Sequence, residues 1–103
     1  MLEMAQNLQE ARLSHSYDDI LNDRILFYGL TKMTEILGEA AYKITLEFRN
    51  THQDLPWKEI IGMRHLLVHG YFSISPEVLW DVIQNDIPDI IPILKKYLGK
   101  EGV

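Results

Sequence analysis

Apolar residues between positions 26 and 44 recur at alternating spacings of four and three. They are Leu26, Leu30, Met33, Leu37, Ala40 and Ile44. An α-helix returns to the same face about every 3.6 residues, so this spacing collects the side chains into one stripe. Asn22 or Asp23 can cap the start of the segment, because either side chain can accept a hydrogen bond from a first-turn N–H. The pattern predicts a long helix.

A weaker apolar stripe predicts a helix before the long one. It lies within residues 1–13 and comprises Leu2, Met4, Ala5, Leu8 and Leu13. Ser14, Ser16 and Asp18 then offer caps for a short helical turn that reaches Leu21.

A third helix is predicted after a polar break at residues 50–54. Pro56 suits the first helical position, where its missing N–H costs nothing. The apolar residues of this helix are Trp57, Ile60, Ile61, Leu67 and Val68. Gly70 should end or distort it.

The last predicted helix repeats the pattern of a cap followed by proline, in Ser75 and Pro76. Its apolar stripe extends over residues 78–98. Pro88 and Pro92 must kink or split it, because an interior proline removes one backbone hydrogen bond and costs ~3 kcal/mol if unrelieved.

The composition is that of an ordinary globular protein, with 103 residues, 47% hydrophobic and 24% charged. We therefore expect one domain spanning residues 1–103, an all-α antiparallel helical bundle of four to five helices. The absence of cysteine excludes disulfide bonds and thiolate metal sites.

Charge and hydropathy narrow the functional classes. No apolar run approaches the ~20 residues that span a bilayer, and Glu3 and Glu10 interrupt the N-terminal stripe. We expect a cytoplasmic protein that does not contact a membrane. The net charge of −5 argues against indiscriminate binding to nucleic-acid backbones, which depends on clustered cations. Any role in nucleic-acid chemistry must be confined to a local site.

His65 and His69 are four residues apart, which on a helix places two imidazoles on one face and suggests a metal site. The metalloprotease form HExxH needs glutamate at position 66, where this chain has Leu66. A third ligand is also missing from the pattern. We therefore predict no metal at this position.

The cluster of greatest interest is Arg64, His69 and Tyr71. Arginine offers a permanently charged fork that fits phosphate, and histidine titrates near neutral pH. Together they can bind a phosphodiester and move a proton. Residues five apart lie well off a common helical face, so one copy forms a loose site, whereas two copies across a two-fold axis would form a composite one. The alternative is that Leu67 and Val68 point inward while the polar groups face water.

This cluster resembles the hallmark of the HepT-like branch of the HEPN superfamily, which is Arg, four residues, His, any residue, Tyr. Arg64, His69 and Tyr71 match it in order. The flanks are similar as well, in Leu55-Pro56-Trp57, Ile61-Gly62-Met63 and Tyr71-Phe72, and in the upstream segment Ile36-Leu37-Gly38-Glu39-Ala40. The resemblance covers roughly residues 17–98.

The resemblance implies an all-α HEPN-like bundle, a homodimer, and a metal-independent endoribonuclease toxin that needs no cofactor. The implied partner is a minimal nucleotidyltransferase antitoxin that can transfer AMP to the motif tyrosine, here Tyr71. His69 would act as general base on a ribose 2′-hydroxyl and Arg64 would stabilise the phosphorane, with His65 and Glu39 in supporting positions. Glu39 would orient Arg64.

A second hypothesis is a non-catalytic helical module that binds nucleotides or a nucleotidyltransferase partner in the same cleft. The intact set of Arg64, His69 and Tyr71 favours catalysis, whereas the acidic net charge favours binding alone.

Overall fold

All regular structure is helical in the part of the chain that a computed structural model describes, residues 1–64 and 75–101. The helices are α1 (Leu2–Ser14), α2 (Tyr17–Asn22), α3 (Arg24–Tyr42), α4 (Leu46–Thr51), α5 (Trp57–Gly62), α6 (Pro76–Asp81) and α7 (Ile87–Glu101). A π-helical segment, Val82–Asp86, joins α6 to α7. The predicted all-α class is confirmed. In these ranges, no helix combines the length and apolar character needed to cross a bilayer.

Side-chain caps explain where α2 and α3 begin. The N–H of Asp19 donates to Oγ of Ser16 at 3.3 Å, and the N–H of Ser16 donates to Oδ2 of Asp19 at 2.8 Å. This reciprocal capping box satisfies two backbone donors at the start of α2 and lowers the pKa of Asp19. Of the two candidate caps for α3, the structure uses Asp23, whose Oδ1 accepts from the N–H of Leu26 at 3.1 Å.

The buried face of α3 differs from the predicted stripe. It consists of Phe27, Leu30, Thr31, Thr34, Leu37, Gly38 and Ala41. Leu26 and Met33, both assigned to the stripe, are only partly buried. The hydroxyls of Thr31 and Thr34 donate to backbone carbonyls four residues earlier, each at 2.8 Å. Because these bonds satisfy the hydroxyls within the helix, two residues counted as polar can enter the core.

Two sequence predictions near α4 and α5 need correction. Residues 50 and 51 belong to α4, so the polar break begins at His52. Pro56 is the residue before α5, with φ −80° and ψ 75°, and does not occupy the first helical position. The α-helix ends at Gly62. The predicted continuation through Leu67 to Gly70 lies outside the described residues.

The π-helical segment explains how the C-terminal helices accommodate proline. The N–H of Ile87 donates to the carbonyl of Val82, five residues earlier. In an α-helix the ring of Pro88 would press on the carbonyl of Gln84, and the wider π-turn relieves this contact. The helix thus changes from α to π before Pro88 and is not split there, and Pro92 lies inside α7 without ending it.

The core forms where α1 meets α3 and the C-terminal helices. Helix α1 packs against α3, the π-helical segment and α7, while α3 also packs against α2 and α5. The largest fully buried aliphatic side chains are Leu8, Leu37, Ile60, Leu79, Ile83 and Ile87. Leu13 was assigned to the buried stripe of α1, but it is 73% exposed. The core side of α1 is therefore carried by Ala5 and Leu8.

The two leucines of α1 provide a matched test of this packing. Leu8→Ala should reduce the free energy of unfolding by about 2–5 kcal/mol, because it leaves a cavity in the core. Leu13→Ala should change it by less than about 0.5 kcal/mol, since it removes exposed surface only. Urea denaturation at fixed protein concentration measures both changes. Equal losses would contradict the packing of α1.

Candidate active site

The structure describes two of the five candidate site residues. Arg64 follows α5, and Glu39 lies in the last turns of α3. His65, His69 and Tyr71 fall within residues 65–74, outside the described part of the chain. The geometry of the site is therefore built from the surroundings of Arg64.

A tight turn after α5 presents Arg64. The N–H of Met63 donates to the carbonyl of Ile60 at 3.0 Å, and the N–H of Arg64 donates to the carbonyl of Ile61 at 3.2 Å. Both bonds join residues three apart, as in a 3₁₀-helix, where side chains at i and i+3 eclipse. Arg64 therefore extends the face of α5 that carries Ile61.

Gly38 lets α3 approach this turn closely. A Cβ at position 38 would lie 2.5 Å from the backbone nitrogen of Arg64 and 2.8 Å from the carbonyl oxygen of Ile60. Real Cβ atoms do not approach backbone atoms so closely, and neither neighbour can rotate away as a side chain could. Only glycine permits α3 to lie against the end of α5, so Gly38 sets the position of Arg64.

The guanidinium of Arg64 rests on an aromatic ring. Its Cζ atom lies 3.6 Å from the ring centroid of Tyr42, the last residue of α3. This cation–π contact constrains the plane of the guanidinium. The side chain of Arg64 is 23% exposed, so the group is largely withdrawn from solvent while it remains reachable.

Within the described residues, Arg64 makes few polar contacts for a group with five N–H donors. The Nη1 atom lies 3.8 Å from Oε1 of Glu39, which is an ion pair but too long for a hydrogen bond. The buried Nε atom has no acceptor among residues 1–64 and 75–101. A buried donor left without an acceptor is costly, so the described residues do not fully satisfy the guanidinium of Arg64.

Glu39 and Tyr42 act on Arg64 from the same helix. They are three residues apart, so both side chains lie on one face of α3. Glu39 was expected to orient Arg64, and the structure places its Oε1 atom 3.8 Å from Nη1 of Arg64. Tyr42 was not among the expected site residues. The sequence does place an aromatic residue three positions after Glu39. This spacing indicates a contact with Arg64 only once α3 is known to pass beneath Arg64.

An aromatic cluster anchors the start of α5, at the opposite end from Arg64. Nε1 of Trp57 and the hydroxyl of Tyr97 both donate to the carbonyl of His52, at 2.7 and 3.0 Å. The ring of His52 stacks on Phe48 with centroids 3.7 Å apart. Burial, with the nearby carboxylate of Asp54, raises the pKa of Tyr97, so the phenol keeps the proton that it donates. These contacts tie α5 to α4 and α7.

A metal site is absent from the described residues. Within residues 1–64 and 75–101, no three histidine, aspartate or glutamate side chains converge in a way that could hold a metal ion. The metal hypothesis for His65 and His69 concerns residues beyond those ranges and stays a hypothesis.

Two glycines of α3 test the close approach. Gly38→Ala should lower the free energy of unfolding by at least about 1 kcal/mol, because overpacking against the backbone outweighs the better helix propensity of alanine. Gly29→Ala is the control, since a Cβ there meets nothing within 4 Å, and it should stabilise the protein by up to about 1 kcal/mol. Denaturant unfolding distinguishes the two. A stabilising Gly38→Ala would contradict the contact.

Comparison with known proteins gives consistent matches over most of the chain. A family model described as "Ribonuclease HepT-like" matches residues 1–97. "Putative RNase TTE0752" of Caldanaerobacter subterraneus subsp. tengcongensis is 36% identical over 101 residues, which cover 98% of this chain and 90% of the relative. "Probable ribonuclease HepT" of Thermococcus cleftensis is 32% identical over 88 residues, or 85% of this chain and 80% of the relative. No solved structure gives a significant match.

Proposed function

Because the chain belongs to the HepT-like ribonuclease family, we propose that it is a metal-independent endoribonuclease whose catalytic residues are Arg64 and His69. The proposal rests on the contacts of the Arg64 guanidinium. Its guanidinium is held against Tyr42, its Nε lacks an acceptor within the described residues, and the carboxylate of Glu39 stays beyond hydrogen-bond distance. A preorganised fork with donors to spare suits the oxygens of a phosphodiester.

The proposed reaction uses the RNA itself as nucleophile. His69 removes the proton from a ribose 2′-hydroxyl, and the 2′-oxygen attacks the adjacent phosphorus. A pentacovalent phosphorane forms, whose extra negative charge Arg64 stabilises. The bond to the 5′-oxygen then breaks, and that oxygen leaves with the proton that His69 took up, which returns His69 to its neutral form. The products are a 2′,3′-cyclic phosphate and a 5′-hydroxyl end.

Glu39 and Tyr42 are proposed to position Arg64. The stacked ring restricts tilting of the guanidinium, while the carboxylate attracts Nη1 from the side of α3. Because Glu39 does not form a hydrogen bond to Arg64, little has to be broken when a phosphate binds. His65 follows Arg64 in the chain and is proposed to supply a supporting polar group.

A homodimer is part of the proposal. The spacing of Arg64 and His69 makes a loose site in one copy, and a two-fold axis would bring two of each around one cleft. The chain is also short, so its own core is limited and a subunit interface would add buried surface.

We further propose that the protein is the toxin of a toxin–antitoxin pair, controlled at Tyr71. A nucleotidyltransferase antitoxin would join the phenol oxygen of Tyr71 to the α-phosphorus of ATP, releasing pyrophosphate as the α–β phosphoanhydride breaks. The product carries a phosphodiester anion and an adenosine two residues from His69. Its phosphate can pair with Arg64, so the modification would occupy the cleft in place of RNA.

The alternative function is a non-catalytic module that binds nucleotides or the nucleotidyltransferase. The net charge of −5 favours it, because overall repulsion weakens RNA binding. Expression of the chain alone in bacteria separates the two. Growth arrest that depends on His69 supports the ribonuclease, whereas normal growth with intact RNA supports the module.

The catalytic proposal predicts cleavage of RNA in the presence of EDTA. Arg64→Ala should lower the rate by about 100- to 1,000-fold, as expected when a charge-stabilising donor is removed. His69→Ala should lower the cleavage rate by a similar factor, because no base remains for the 2′-hydroxyl. Gel analysis measures the rates and tests for 2′,3′-cyclic phosphate ends.

Arg24→Ala is the charge-matched control for Arg64→Ala, since Arg24 is exposed at the start of α3 and its replacement changes the net charge by the same amount. It should cleave like the wild type. Circular dichroism should show equal helical content in all three variants, and light scattering should show dimers. Inhibition by EDTA, or full activity of Arg64→Ala and His69→Ala, would refute the mechanism.

The proposal that Tyr71 regulates the protein predicts that AMP is attached to this residue. Incubation with ATP, magnesium and the partner nucleotidyltransferase should add one or more AMP units to the intact mass. Peptide mapping should locate them on Tyr71, and Tyr71→Phe should prevent the gain because the acceptor oxygen is missing. AMP mapped to another residue, or no gain with a demonstrably active partner, would exclude Tyr71 as the control point.

A further inference from the structure

Helix α5 separates two surface depressions of opposite charge. The first, here called the basic depression, has a volume of about 470 Å³ and is lined by Arg49, Asn50, Gln53, Trp57, Lys58 and Ile61. The second, the acidic depression, has a volume of about 350 Å³ and carries the carboxylates of Asp54, Glu59, Asp86 and Asp89. Among the described residues, no carboxylate lines the first depression and no cation lines the second.

The acidic depression repels anions. Burial, followed by the carboxylates of Asp81 and Asp89, raises the pKa of Asp86. An anionic polymer that approaches α5 is therefore excluded from one side of the helix and attracted to the other.

The cations of the basic depression are available for a ligand. Nε of Arg49 donates to the carbonyl of Ile44 at 3.2 Å, which holds the guanidinium in place. Within residues 1–64 and 75–101, neither Arg49 nor Lys58 forms an ion pair with a carboxylate. Binding a phosphate would therefore break no existing ion pair of these residues.

Trp57 supplies a fixed aromatic surface between the cations. Its Nε1 donates to the carbonyl of His52 at 2.7 Å, and its ring meets Phe48 edge to face at 85°. Trp57 is half-buried and lines the depression. Since the ring is already immobilised, stacking a base on it would cost little side-chain entropy.

The basic depression continues toward Arg64. Trp57 and Ile61 are one turn apart on α5, and the 3₁₀-type turn places Arg64 in line with Ile61. The three residues thus follow one face from the depression to the candidate catalytic arginine. A chain bound along this face would reach both.

We propose that the basic depression is a binding subsite for a nucleotide that flanks the scissile phosphate of single-stranded RNA. Arg49 and Lys58 bind its phosphate, Trp57 stacks on its base, and the amides of Asn50 and Gln53 face the base edge. The combination of cations with an aromatic platform is the general mode of single-strand binding. The subsite explains how an acidic protein can hold RNA, because the attraction is local. This inference rests on the proposed ribonuclease function.

A binding assay with an uncleavable ligand tests the subsite apart from catalysis. The probe is a fluorescent 2′-O-methyl RNA oligonucleotide, which lacks the attacking hydroxyl, and anisotropy measures its Kd. The double variant Arg49→Gln with Lys58→Gln should raise the Kd about tenfold or more. It should also reduce the slope of log Kd against log salt by about 0.7, because one phosphate is no longer neutralised.

The charge-matched control is Arg24→Gln with Lys95→Gln. Both residues are exposed, lie outside the depression and form no ion pair within the described ranges. The control removes the same two charges and should change the Kd less than about threefold, as screening of distant charges predicts. Equal losses in the two double variants would show that net charge alone is responsible and would overturn the subsite.

Trp57 provides a second, spectroscopic test. In a Trp80→Phe background, Trp57 is the remaining tryptophan of the chain. Its fluorescence should be quenched when the RNA analogue stacks on it. Trp57→Leu should raise the Kd about 5- to 100-fold, the range expected when one base–aromatic stack is removed. Trp57→Phe keeps an aromatic ring and should weaken binding less. Absence of quenching at saturating RNA would overturn the proposal.

The outcomes separate the subsite from the proposed function. If the wild type cleaves RNA while the basic-depression variants keep its KM and Kd, the subsite is wrong and the ribonuclease stands. If no RNA is cleaved but the variants still lose binding selectively, the ribonuclease is wrong and the subsite stands. Variants that bind RNA normally but resist AMP transfer to Tyr71 would identify the depression as a partner surface, which would also overturn the RNA subsite.

Discussion

The contact between Gly38 and the turn after α5 determines the geometry of the candidate site. A Cβ at this position would come within 2.5 Å of the backbone nitrogen of Arg64. Because backbone atoms cannot move aside as side chains can, any larger residue must push α3 away from α5. The same approach brings the last turns of α3 beneath Arg64. The absence of one side chain thus decides where the guanidinium lies.

Two opposing influences act on Arg64 once it is in place. The ring of Tyr42 constrains the cation at 3.6 Å, and Glu39 attracts it at 3.8 Å without a hydrogen bond. A shorter bidentate pair with Glu39 would occupy the fork that a phosphate needs. The looser arrangement orients Arg64 and leaves its donors available. For a proposed phosphodiester site, it matters more that the guanidinium of Arg64 is both oriented and able to bind a phosphate than that it is buried.

The local distribution of charge on the surface of this protein is more informative about binding than its net charge. The net charge of −5 gives no sign of an RNA partner. Yet α5 carries Trp57, Lys58 and Ile61 on the face that adjoins the basic depression and Glu59 on the face that adjoins the acidic one. Adjacent residues in the sequence thus point to surfaces of opposite potential. The aromatic cluster around His52 joins the start of this helix to the end of α4 and to Tyr97 of α7, so the helix is anchored at the end remote from Arg64.

The sequence by itself determined the helical class and the existence of α1, α3 and the C-terminal helices, because periodicity acts over a few neighbouring residues. For the same reason it narrowed the helix caps to a few candidates, among which the structure uses Ser16 and Asp23. It also identified Arg64 and Glu39 as candidates. It could not identify the burial of Thr31 and Thr34, the contact of Tyr42 with Arg64, or the assembly of the basic depression. Those depend on which elements meet in space, and a one-residue rotation of a helix changes its buried face without changing its pattern of apolar residues. Only the tertiary structure decides such contacts, since packing joins residues that are distant along the chain.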